Sequence, residues 1–258
     1  MTDIQETRAW LVEEMRAHKA ADRLVQGLYW DNGKGCAVGC AMQSLDPDAA
    51  PNDHARYAKM IGAPEMLVRL EDCIFEGLPG ALAREWPVRF TIALRDSGAD
   101  EEALRRACMR FLQTTVSRSL ERYADAETRA ACQPALNIVA ASAKGQPISA
   151  DEERDVTRAA LAARAARAAA WVTDAAERAA RRAALGWMAA ERAVEAVEAV
   201  EALEGAVALV EWAAARAARA ADEDAGAAVA AALAMRAALA AAYTEMADTL
   251  IAEIEAAS

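Results

Sequence analysis

Tyr29-Trp30-Asp31-Asn32-Gly33-Lys34-Gly35-Cys36-Ala37-Val38-Gly39-Cys40 is the one stretch whose residue choices helix formation does not explain. Asp31-Asn32-Gly33 is a tight-turn signal, because Asn and Gly tolerate the positive φ that a two-residue hairpin turn demands. The residues before it, Leu24 to Trp30, lean towards β structure, and Gly35 to Cys40 can return as a second strand. The pattern therefore predicts a small β-hairpin over about residues 24–40. Gly27, Gly35 and Gly39 would weaken ordinary strands, so they mark bulges or places where another backbone comes close. A two-stranded hairpin is marginal by itself and has to lie on helices.

Helices surround it. Upstream, Trp10, Leu11 and Met15 recur at helical spacing within residues 5–18, opposite Glu13, Glu14 and Arg16, and a second short run extends towards Leu24. Downstream, residues 44–53 form a loop rich in turn formers. A short helix spans His54 to Ile61 and stops at Gly62, and Pro64 opens the next. In that next helix Met66, Leu67, Leu70, Ile74 and Leu78 face a core, while Glu65, Arg69, Asp72 and Glu76 form the wet side. Trp86-Pro87 is expected to break the following segment, with Pro87 opening a helix through Leu94. Asp100-Glu101-Glu102 places acid in the first turn of a helix reaching about Tyr123. One more helix covers 125–144, with Pro134 as a kink or break.

Lys144-Gly145-Gln146-Pro147 marks a change of composition. Beyond it alanine dominates, proline is absent and Ser149-Ala150-Asp151-Glu152 reads as a capping box. Gly186, Gly205 and Gly226 punctuate two to four long helices packed through small side chains as a hairpin or bundle. Glu195, Glu198, Glu201 and Glu204 repeat every three residues, so they spiral around a helix and read as a solvated low-complexity repeat. The fold class that follows is mainly α: a helical domain over 1–146 containing the hairpin, then an Ala-rich helical region over 147–258.

Bulk properties narrow the function. The 258 residues carry a net charge of −11, which disfavours nucleic acid, whose binding rests on clustered Lys and Arg. The same sign disfavours anchoring on anionic lipid. Ala225 to Tyr243 is the segment that needs testing as a membrane span. Alanine gains little from lipid and Arg236 sits near its centre, so it reads as a buried or partner-facing helix. Five cysteines, an odd count, with no leader-like start, predict reduced thiols in a cytoplasmic setting.

Two kinds of chemistry are open around the unusual stretch. Cys36 and Cys40, four apart, could bring two thiols to one zinc-like ion, with His54, Asp53 or Cys73 completing the set. Alternatively Cys36 or Cys40 could be a nucleophile beside glycine-rich amides, with His54 as its base. Against both stands plain packing of two small apolar thiols. His18 suits a helix C-terminus through its charge alone. Gly33-Lys34-Gly35 could form a small amide nest but lacks the spacing of a phosphate loop. Glu71, Asp72 and Glu76, beside Arg69, read as an ordinary solvated face.

Tyr29-Trp30 with Gly33-Lys34-Gly35-Cys36-Ala37-Val38-Gly39-Cys40, followed by Leu70-Glu71-Asp72-Cys73-Ile74-Phe75-Glu76-Gly77-Leu78-Pro79, resembles a family of uncharacterised phage and prophage proteins. The Ala-rich tail ending in Tyr243, Met246-Ala247-Asp248 and Leu250-Ile251 looks like the tails of that family. The resemblance covers most of the chain and implies a phage or mobile-element origin and a host-cytoplasm setting. It carries over no activity, cofactor or site residue. The leading expectation is a non-enzymatic protein that self-associates or binds a protein partner through its Ala-rich helices, without cofactor. The alternative is a small enzyme or metal-binding protein with its site at Cys36, Cys40 and His54.

Overall fold

A computed structural model describes residues 3–123, 126–146 and 225–257. Among these residues the regular structure is eight α-helices: α1 (Ile4–Ala20), α2 (Ala37–Leu45), α3 (His54–Ile61), α4 (Glu65–Gly77), α5 (Gly80–Ser97), α6 (Glu101–Tyr123), α7 (Ala126–Ala143) and α8 (Ala225–Glu255). The mainly α expectation holds. The capping box at Ser149, the Glu195–Glu204 run, Gly186, Gly205 and the number of Ala-rich helices all lie outside the described residues. The chain divides into two compact units, Met1–Cys108 with Ala240–Ser258, and Met109–Leu239.

The expected β-hairpin at 24–40 is not formed. Its turn is: Asn32 and Gly33 take positive φ of 49° and 81°, and Asp31 and Lys34 exchange backbone hydrogen bonds of 2.8 and 3.0 Å. The return strand is replaced by helix. Cys36 takes an extended conformation as the N-cap of α2, its Sγ accepting from the Gly39 amide at 3.4 Å. Every residue from Ala37 to Met42 is then buried, so the first turns of α2 are enclosed on all sides. Besides the turn, only isolated bridges remain, of which Leu24 with Gly35 is parallel. The glycines are explained by close approach, since a Cβ on either Gly35 or Gly39 would overlap the Tyr29 carbonyl. Residues 28–30 thus cross the first turn of α2 backbone to backbone.

In the first unit α1 packs along α5 and touches α2 and α3, while α4 lies against α2, α3 and α5. Met66, Leu67, Leu70, Ile74 and Leu78 are buried, as their spacing predicts. α3 begins and ends where the sequence places it. Asp53 caps it by accepting from the Arg56 amide at 2.9 Å, and Gly62 ends it in the left-handed region at φ 61°. Arg8 fastens three elements together: Nε donates to Ile61 O at 2.8 Å and one terminal nitrogen to Gly62 O at 2.9 Å. The other reaches Leu94 O at 3.3 Å and Ala99 O at 3.0 Å. A buried guanidinium thereby satisfies carbonyls at the C-terminal ends of α3 and α5, where the helix dipole favours a cation.

Pro87 does not break the chain. α5 runs through it from Gly80 to Ser97, because Trp86 and Phe90 are buried anchors on one continuous face. Their burial outweighs the helix-interior cost of proline, about 3 kcal/mol. The C-terminal end of α8 returns to this unit, burying Met246, Ala247, Leu250 and Ile254 and pairing Asp248 with Arg89 at 2.8 Å.

In the second unit, α6 from Met109 onward buries Phe111, Leu112, Val116 and Leu120, and α7 buries Cys132, Ala135, Ile138 and Val139. α7 continues through Pro134. Gly226 falls in the first turn of α8, so it opens this helix and does not interrupt one.

Candidate functional site

The loop between α1 and α2 is pinned to the last turn of α4. The Gln26 side-chain amide donates to Phe75 O, Glu76 O and Leu78 O at 2.7, 3.1 and 2.8 Å. These are the carbonyls that a helix end leaves without intrahelical donors. The Gly27 amide donates to Glu76 Oε2 at 2.7 Å. The same loop delivers Tyr29 over α4 and then Cys36 beneath it.

This pinning brings together three side chains that could hold a metal ion. Cys36 Sγ and one carboxylate oxygen each from Asp72 and Glu76 lie within 4.8 Å of one another. Asp72 and Glu76 are one turn apart on α4, so a single helix face supplies both. Cys36 is buried, Asp72 is half-buried and Glu76 is exposed, which leaves the set open on the Glu76 side. His54, first residue of α3, places Nε2 at 3.0 Å from Asp72 Oδ2, and Tyr29 donates its hydroxyl to the same oxygen at 3.3 Å. The Tyr29 ring stands edge-on to the His54 ring at 5.8 Å. The other oxygen, Asp72 Oδ1, is buried and has no hydrogen-bond partner among the described residues.

Behind this set Tyr57 and Glu71 are completely buried. The Tyr57 hydroxyl is the hydrogen-bonding neighbour of the Glu71 carboxylate, the pair lying outside ideal hydrogen-bond geometry. Burial, then the Asp72 charge, pushes the Glu71 carboxyl well above the usual carboxylate range.

Burial and negative charge raise Cys36, Tyr29 and Glu76. Burial, then Asp72, raises the Cys36 thiol far above an ordinary cysteine. Burial, then Asp72, moves Tyr29 up to about 12. Burial lifts Glu76 too, against the hydrogen bond from Gly27. A thiol among carboxylates stays protonated at neutral pH, the reverse of what an activated nucleophile needs. A divalent cation inverts that balance, because it stabilises the thiolate and the carboxylates together.

The residues singled out from sequence separate here. Cys36 joins the ligand set. His54 lies one step outside it and orients Asp72. Cys40 turns away, its Sγ 3.5 Å from Gly35 O and 3.9 Å from Arg23 O, with its pKa moved up to about 12 chiefly by burial. Cys73, half-buried on α4, is outside the set, and Asp53 is spent on capping α3. Sequence reasoning placed Glu71, Asp72 and Glu76 on a solvated face, and for Glu71, which is completely buried, that expectation fails. The signal was present: Glu71 sits four residues after Leu67 and between Leu70 and Ile74, inside the apolar stripe of α4.

Among the described residues no helix is long and apolar enough to cross a membrane. Compared with known proteins, the chain matches no family model, no curated protein and no solved structure.

Proposed function

We propose that the protein binds a divalent transition metal through Cys36, Asp72 and Glu76, with His54 and Tyr29 holding Asp72 in place. The observation that carries this reading is the convergence of three ligand atoms within 4.8 Å, one of the two contributing carboxylates keeping a buried oxygen without a partner among the described residues. Around a tetrahedral zinc-like ion, bonds of about 2.0–2.3 Å put ligand atoms roughly 3.5 Å apart. The set closes onto an ion with a shift of about an ångström in Glu76, the exposed member. Mixed thiolate and carboxylate donors suit zinc or another borderline metal better than magnesium or calcium. Three protein ligands leave a coordination position for water or another small ligand. The His54–Asp72 contact is the usual way an outer group fixes a ligating one.

Zinc titration of the chelator-treated full chain tests this. The expected result is one ion per chain with two variants, Cys36→Ser and Asp72→Asn, each losing at least tenfold in affinity. Uptake that both variants leave unchanged would sink the reading.

A second reading keeps the Ala-rich helices as a surface for self-association or for a host or phage protein, in line with the resemblance to phage and prophage proteins. It is favoured by the composition of α8, in which 12 of the 18 residues from Ala225 to Ala242 are alanine, a side chain with little area to bury. Its test is the native mass of the full chain against one in which residues 147–239 are replaced by a short Gly/Ser linker, which removes most of the Ala-rich segment and keeps the docked end of α8. An unchanged mass state rejects it.

A further inference from the structure

Gly77 is the last residue of α4, next to the ligand Glu76, and a Cβ there would fall on the ring of Tyr243 in α8. The ring therefore rests on the bare Cα of the turn that presents Glu76. Glycine weakens a helix by about 1 kcal/mol relative to alanine, so this last turn needs support from outside. One side has it in Gln26 and Gly27. The other has Tyr243, held down by buried Met246, Leu250 and Ile254 and by the Arg89–Asp248 pair at 2.8 Å.

We propose that Tyr243 is a positioning residue for the metal site: by packing on Gly77 it keeps the final turn of α4 wound and Glu76 within reach of Cys36 and Asp72. The docked C-terminal helix is then part of the site's framework, although it contributes no ligand. This inference rests on the metal-binding reading and extends it to an element far away in sequence.

The experiment measures zinc affinity of the full chain by competition with a chromophoric chelator, for wild type, Tyr243→Ala, Tyr243→Phe, Glu76→Gln and the Tyr243→Ala/Glu76→Gln double variant. Outer-shell groups typically govern a 10–100-fold range in metal affinity, so Tyr243→Ala is expected to lose roughly tenfold or more. Tyr243→Phe, which keeps the ring, binds as wild type. Because Tyr243 acts through Glu76, the double variant is expected to bind no more weakly than Glu76→Gln alone. With cobalt in place of zinc, the Cys36 thiolate absorption should persist in Tyr243→Ala while the ligand-field bands shift. Undiminished affinity in folded Tyr243→Ala, or losses that multiply in the double variant, overturns the inference alone. Absence of zinc uptake by the wild-type chain overturns the metal-binding reading as well. Should Tyr243→Ala fail to fold, Tyr243→Leu, which keeps apolar bulk without the flat ring, enters the same comparison with the same two outcomes.

Discussion

Arg8 and Glu71 are both fully buried charged residues of one helical unit, and the fold treats them in opposite ways. Arg8 finds four backbone carbonyls at the C-terminal ends of two helices, so its charge lies where the backbone already offers negative potential. Glu71 has only the Tyr57 phenol as a hydrogen-bonding neighbour among the described residues, outside ideal geometry, and lies beside a second carboxylate, Asp72. A buried charge that is fully hydrogen-bonded belongs to the architecture. A buried carboxyl with one poorly aligned phenol for company, beside a cluster of further carboxylates, is tolerated at a cost, and such costs concentrate at functional sites.

The contrast is broken most directly at Arg8. Replacing it by methionine fills much of the space but removes the guanidinium from four carbonyls. Among the described residues only Leu94 O of the four keeps another side-chain donor, Ser97 Oγ at 3.0 Å. The expected loss is roughly 3–5 kcal/mol by analogy with breaking a buried charged network. Arg8→Lys should recover only part, since one ammonium cannot span both helix ends. Chemical denaturation reads both variants. A loss below about 1 kcal/mol for the methionine variant would show that the carbonyls find other donors.

Glu71→Gln is expected to have the opposite sign at neutral pH, stabilising the metal-free protein by about 1 kcal/mol, since an amide needs no proton to stay neutral and can donate to its neighbours. The pH dependence sharpens this. The folded-state pKa of Glu71 is raised, chiefly by burial, so its native state holds a proton that the unfolded chain has released. Stability from this group is complete below the ordinary carboxyl pKa, about 4.5, and declines as pH rises through the folded value. Denaturation midpoints of wild type and Glu71→Gln should therefore diverge as pH rises from 4.5 towards 8. Parallel curves would mean that Glu71 ionises as freely folded as unfolded.

How much of this was legible in the sequence depends on whether local and tertiary signals agreed. At α3, Gly62 is a stop whatever surrounds it, and the apolar spacing of α4 needs no partner to be recognised. At Asp31–Lys34 the turn residues again predicted correctly, because Asn32 and Gly33 accept positive φ by themselves. The return strand failed because Gly35 and Gly39 are explained by Tyr29 crossing above them, a contact invisible in one dimension. Pro87 misled for a similar reason, since only the burial of Trp86 and Phe90 shows why helix continues through it. In the site, Cys36 and His54 stood out as rare residue types, whereas Asp72 and Glu76 looked like any solvated helix face. Only the loop folded over α4, carrying Gln26, Gly27 and Tyr29, turns that face into a site.

His18 lies between the two extremes and carries the smallest effect. Its Nε2 is 2.9 Å from Ser44 Oγ, which itself donates to Glu14 at 3.2 Å, while buried Nδ1 has no partner among the described residues. Burial first and the Arg23 charge second lower its pKa, against an opposing pull from Glu14, so the imidazole is held neutral. A depressed pKa means that the unfolded chain takes up the proton first. The contribution is therefore present above the ordinary histidine value near 6.5 and is lost as pH falls through it towards the folded value. His18→Gln should cost about 1 kcal/mol at pH 8, where the Ser44 contact is the main loss, and should flatten the decline in stability between pH 7 and 5. If the variant keeps the wild-type acid slope, the slope belongs to groups other than His18. His18 would then join Arg8 as a group whose surroundings meet the needs of its charged form.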